Sequence, residues 1–151
     1  MRQSIFQENL KRYIGMSNIS ILRLASSTNI SRQSIYNILN GKHDVRLSTA
    51  LAIARALNID FIELNSSDNA NFSKEFDGSV VDKDYLSIMI QNLKRSCASR
   101  TQKSLSTIPG LSEAEVSNIL TGKITNPYMG SLEAMLGNTN FIDLAQAMKR
   151  R

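Results

Sequence analysis

The stretch LASSTNISRQSIYNILNG, Leu24 to Gly41, decides the fold. Two short helical segments meet across a turn. Ala25 is small, so the two helices can cross closely, and apolar Ile30 closes the corner between them. The first segment stops around Thr28-Asn29, where Asn tolerates the left-handed backbone of a tight turn. Ser31 then caps a second segment, RQSIYNIL, with Ile35, Ile38 and Leu39 directed at a core and Asn40-Gly41 ending it. The spacing predicts a helix-turn-helix that leaves Arg32, Gln33, Tyr36 and Asn37 on or near its open side.

The same patterning extends outward. Upstream, Ser4 and Gln7 form a capping-box pattern, and Phe6, Leu10 and Ile14 mark the buried face of a first helix that Gly15 and Asn18 break. A second helix begins near Ile19 or Ser20 and carries Ile21, Leu24 and Ala25 inward. Downstream, Leu47, Leu51, Ala54 and Leu57 give the buried face of a fourth helix whose start Ser48 can cap. Asp60 and Glu63 form a capping box for a short fifth helix, FIEL.

This unit recurs in the 151-residue chain. NLKR at Asn9–Arg12 returns at Asn92–Arg95, NILNGK at Asn37–Lys42 returns as NILTGK at Asn118–Lys123, and DFIEL at Asp60–Leu64 returns as NFIDL at Asn140–Leu144. The offsets of 83, 81 and 80 keep order and nearly keep spacing, which argues for duplication of a compact unit. The expected architecture is all-α, with two tandem domains of about five short helices each, over residues 1–65 and 83–151. Residues 66–82 read as a polar, acidic linker, able also to form a short strand or to pack through Phe76 and Val80-Val81.

Charge follows that division. Residues 1–65 carry eight basic and four acidic residues, the linker one and four, and residues 83–151 nine and five, for a net charge of +5. A basic body suits a polyanionic partner. An exposed helix after a tight turn fits the major groove of duplex DNA, where Arg pairs with guanine and Gln with adenine. Arg32, Gln33, Tyr36 and Asn37 are the expected base readers. Ser20, Arg23, Ser31, Asn40, Lys42, His43 and Arg46 are the expected phosphate contacts.

Leu24, Ala25, Ile30, Ser31, Ile35 and Gly41 resemble the pattern of the lambda-repressor-like, Cro/C1 or XRE-type, helix-turn-helix family. Ser20 stands where that family has Thr, Ile21 where many members have Gln, and Asn29 where it has Gly. The resemblance covers nearly all of residues 4–65. It implies base reading by Arg32, Gln33 and Tyr36, phosphate contact by Asn40, and a mobile-element type of transcriptional regulator.

Residues 85–146 resemble a diverged member of the same family, keeping Thr101-Gln102, Leu105, Gly110, Leu111, Ser112, Val116 and Gly122. Ser112 and Glu115 make a capping box. Where the first copy has Arg32, Gln33 and Ser34, the second has Glu113, Ala114 and Glu115; these carboxylates suit a helix dipole but oppose nearby phosphates. Met129, Leu132, Met135 and Leu136 offer more apolar surface than one small core needs. Two roles for this copy follow: dimerisation or another protein contact, and auxiliary DNA contact through Gln102, Lys103, Ser117, Asn118 and Lys123 with the basic tail Lys149-Arg150-Arg151.

Other functions are disfavoured. With His43 the only histidine and Cys97 the only cysteine, no zinc cluster or internal disulfide can form, and Cys97 is expected as a buried core thiol. No phosphate-binding Gly loop or catalytic triad is present, so an enzyme and a cofactor are not expected. The start, Met1-Arg2-Gln3-Ser4, lacks the apolar core of a signal peptide, and no stretch approaches the roughly 20 apolar residues that span a bilayer, which fits a cytoplasmic setting. The expected function is sequence-specific regulation of transcription, most simply repression, by a homodimer on an inverted-repeat operator. An intrachain pseudo-dimer of the two copies is the competing geometry, and an antitoxin that binds its own operator and a protein partner is the competing function.

Overall fold

A computed structural model of the chain describes residues 4–65, 72, 74–76, 78, 87, 91 and 112–136. Its named elements are all helices: α1 (Ile5–Ser17), α2 (Ile21–Thr28), α3 (Arg32–Leu39), α4 (Leu47–Leu57), α5 (Phe61–Leu64), α6 (Glu113–Leu120) and α7 (Met129–Leu136).

The caps read at Ser4, Ser31 and Ser112 form, and Ser20 supplies a further one. Ser4 and Gln7 complete their box: the Gln7 amide donates to Ser4 Oγ and the Ser4 amide to Gln7 Oε1. The hydroxyls of Ser20, Ser31 and Ser112 each accept the amide three residues on, closing the first turns of α2, α3 and α6. Asn18, Asn29 and Asn58 end α1, α2 and α4 in the left-handed conformation. Two local expectations are corrected. Gly15 lies inside α1, which runs on to Ser17, because Asn18 supplies the terminating conformation. Ser48 does not cap α4; the cap position is Arg46, and it makes no side-chain cap bond.

Phe6, Leu10, Leu24, Ile35, Ile38, Leu47, Ala50, Leu51, Ile53, Ala54, Ile59, Phe61 and Leu64 form the core of the first five helices. Helix α2 packs on α3 and α4, and α1 on α3 and α5. The described linker residues complete this body. Phe72 is buried edge-on against Tyr13 with the Arg12 guanidinium over its ring, and Phe76 lies under Arg55. The capping box expected at α5 is half made. Asp60 Oδ2 accepts the Glu63 amide, whereas Glu63 Oε2 accepts the Lys74 amide and the Asp60 amide donates to the Lys74 carbonyl. Val80-Val81 lie outside the described residues.

Helices α6 and α7 join the same hydrophobic cluster through Val116, Ile119, Met129, Leu132 and Met135. Met129, Leu132 and Met135 are each 0% exposed. These residues therefore supply no spare apolar surface, contrary to expectation, because packing within the chain covers them. The contact with the first body centres on an isolated antiparallel bridge between Arg46 and Tyr128, which immediately precede α4 and α7.

Candidate nucleic-acid interface

Helix α3 follows α2 after a three-residue turn that Asn29 makes possible at φ 58°. Ile35, Ile38 and Leu39 hold its inner side in the core, while Arg32, Gln33, Ser34 and Tyr36 are exposed. Tyr36 keeps 47% of its surface open despite its size. Gln33 Nε2 donates to Asn37 Oδ1 at 3.0 Å, one turn along the exposed side. Gln33 and Asn37 thus form one unit, which leaves the Gln33 carbonyl and the Asn37 amide to face a ligand. Ser31 is committed at the first turn, its Oγ accepting the Ser34 amide and donating to Ser34 Oγ.

The buried Gln7 sets the far end of α3. Its Nε2 donates to the Ile38 carbonyl at 3.0 Å and to the His43 carbonyl at 2.7 Å. One amide thereby ties the start of α1 to the end of the exposed helix and to the basic loop after it. Sequence reading found Gln7 as a capping partner but missed this positioning role; a Gln patterned among core residues was the available signal.

The candidate phosphate contacts divide into two groups. Ser20, Arg23, Ser31, Asn40, Lys42 and His43 are all exposed, Arg23 within α2 and the others at or beyond the ends of α2 and α3. Arg46 stands apart from them: one of its guanidinium nitrogens donates to the Asn126 carbonyl at 2.9 Å and its Cζ lies over the Tyr128 ring, 4.2 Å from the centroid. That exposed side chain is engaged with the second half of the chain.

In the second half, α6 and the turn after it repeat the geometry of α3. Ser31 and Ser112 are both caps in extended conformation, Asn40 and Thr121 end their helices at φ −89° and −88°, and Gly41 and Gly122 follow at φ 71° and 81°. Glu113 and Ala114 are exposed where α3 has Arg32 and Gln33. Ser117 and Asn118 are half-buried and Lys123 is exposed. Gln102, Lys103, Cys97 and the tail Lys149-Arg150-Arg151 lie outside the described residues.

Among the described residues no group of three or more His, Cys, Asp or Glu could hold a metal, and no helix is long and apolar enough to cross a membrane. An exposed, cationic and amide-bearing helix held rigidly on a core suits recognition of base edges. Residues 9–68 match the family model of the Cro/C1-type HTH DNA-binding domain. No curated protein and no solved structure matches the chain.

Proposed function

Starting from a chain that carries a Cro/C1-type helix-turn-helix domain at residues 9–68, we propose that this protein is a sequence-specific transcriptional regulator, acting as a repressor that occupies a promoter. The domain supports DNA binding and a general regulatory role. The finer reading rests on one observation: Arg32, Tyr36 and the bonded pair Gln33–Asn37 all lie on the side of α3 away from the core. Arg32 would donate to guanine, and the Gln33–Asn37 unit would present one acceptor and one donor to adenine. Ser20, Arg23, Asn40, Lys42 and His43 would hold the phosphates on either side and set the register, joined by Ser31 once its hydroxyl turns from Ser34 Oγ to the DNA.

Selection of duplexes from a random pool by the full chain tests this reading. The expected result is a defined motif that the Arg32→Ala, Gln33→Ala double variant binds far more weakly than the native chain does. A pool without enrichment, or an unchanged motif with that variant, would refute it.

A further inference from the structure

We propose that one chain is by itself the equivalent of a two-fold dimer, with α6 standing where a partner's α3 would stand, so that a single chain reads two different half-sites of one asymmetric operator. The interface carries the evidence. Across the Arg46–Tyr128 bridge the Leu47 amide donates to the Pro127 carbonyl at 2.9 Å, and the Met129 amide donates to the Val45 carbonyl at 2.8 Å. One residue further into each helix, the Ser48 amide donates to Asn126 Oδ1 at 2.9 Å and the Gly130 amide to Asp44 Oδ1 at 3.2 Å. Each bond maps onto its partner when 82 is added to or subtracted from the residue numbers, so that Asp44, Val45, Arg46, Leu47 and Ser48 correspond to Asn126, Pro127, Tyr128, Met129 and Gly130.

In an isologous two-fold interface residue i of one subunit meets j of the other, and j meets i. Here both subunits are segments of one chain. The helix starts make the exchange chemically useful. The first amides of a helix have no partner within it, and each half caps the other half's helix with a carbonyl and a side-chain oxygen.

The correspondence continues away from the interface. Leu47, Ala50 and Ile53 of α4 are buried, as are Met129, Leu132 and Met135 of α7 at the same offset. Ile35 and Ile38 of α3 match buried Val116 and Ile119 of α6 at an offset of 81, the difference being one extra residue in the second loop. That residue shows in the hydrogen bonds: the Lys42 amide closes on the Asn37 carbonyl, whereas it is Ile124, one residue later, that closes on the Asn118 carbonyl.

Points related by a two-fold rotation have equal height along its axis. Whatever surface α3 presents along that axis, α6 presents beside it. The two surfaces differ in chemistry: Arg32 is a donor suited to guanine, whereas Glu113, its counterpart, is an acceptor suited to the cytosine amino group. The half-sites are therefore unlike, and the chain binds in one orientation.

This inference rests on the DNA-reading role of α3 proposed above. Its test uses the full chain and the duplex that chain selects from a random pool, with sedimentation equilibrium for stoichiometry and hydroxyl-radical cleavage for the footprint. The expected complex holds one chain per duplex, with protection over two major-groove segments about one helical turn, roughly 34 Å, apart. Glu113→Ala should alter base preference at one segment only and weaken binding roughly tenfold, and Arg32→Ala should do the same at the other. Both residues are exposed, and equal melting temperatures would exclude a folding defect. Two chains per duplex, protection of a single segment, or an unchanged motif with Glu113→Ala would each overturn the single-chain dimer while leaving α3 as a reader. Failure to select any sequence would remove both proposals together.

Discussion

Ser48 and Asn126 grip one another through two hydrogen bonds, the Ser48 amide donating to Asn126 Oδ1 at 2.9 Å and Asn126 Nδ2 donating to Ser48 Oγ at 2.8 Å. A side chain 78 residues away in sequence thus caps α4, whose own cap position, Arg46, makes no side-chain cap bond. Asn126→Ala removes both bonds and leaves a helix-start amide to water. A loss of about 1–2 kcal/mol is expected, comparable to removal of a helix cap. Thermal unfolding of the full chain should register it as a fall of several degrees. Asn126→Asp keeps the acceptor for the Ser48 amide and lets the serine hydroxyl donate in turn, so its fall should be smaller. An Asn126→Ala melting temperature equal to that of the native chain would show that this contact contributes nothing in solution.

Gly130, the position 82 residues after Ser48, offers the complementary test. A Cβ added to Gly130 would lie 2.5 Å from Asp44 Oδ2, and the carboxylate is held in place by the amides of Val45 and Gly130. The Ser48 side chain is accommodated, its Oγ accepting from Asn126 Nδ2, whereas a side chain at position 130 meets the Asp44 carboxylate. Gly130→Ala is therefore expected to destabilise by about 1–3 kcal/mol through overpacking. In an Asp44→Ala background the obstruction is gone, and the same change should stabilise by about 0.5–1 kcal/mol through helix propensity. Denaturant titration of the four proteins measures the sign change; additivity would mean that the two residues do not touch.

Gln7 offers a test at the other end of α3. Its Nε2 satisfies two carbonyls and its Oε1 the Ser4 amide, all close to the core. Gln7→Leu keeps much of the volume and removes every bond, stranding polar groups at a cost of about 2–4 kcal/mol in sum. Because those carbonyls belong to Ile38 and His43, affinity for the selected duplex should fall even below the melting transition. Unchanged affinity would restrict Gln7 to a stability role.

Much of this was legible in the sequence because the signals were local. The caps Ser4, Ser31 and Ser112 and the left-handed Asn29 are set by neighbours within three residues, and helical spacing marked Phe6, Leu10, Ile35 and Ile38 as core. The failures share the opposite property. Ser48 has the chemistry of a cap, but the oxygen that does the capping belongs to Asn126. Met129, Leu132 and Met135 looked like surplus apolar surface because the body that covers them is distant in the chain. The repeat was visible as matching strings. The reciprocal bonding of Asp44–Ser48 with Asn126–Gly130 was not, since one extra residue after Gly122 shifts the offset just before that contact.

Lys42 and Arg46 are both exposed basic residues of one loop, and they should respond to mutation in opposite ways. Lys42 flanks the end of α3, on the side expected to face a phosphate. Lys42→Ala should weaken binding to selected and random duplexes alike and lower the slope of log K against log salt by about 1. Arg46 instead donates to the Asn126 carbonyl and stacks on Tyr128. A stacked, hydrogen-bonded guanidinium contributes about 1–2 kcal/mol, so Arg46→Ala should lower the melting temperature while leaving the salt slope unchanged. Arg46→Lys should recover little of that stability, since an ammonium cannot present the same planar face. Binding isotherms at several salt concentrations, paired with melting curves, separate the two residues. A reduced salt slope for Arg46→Ala would show that this residue also contacts a phosphate.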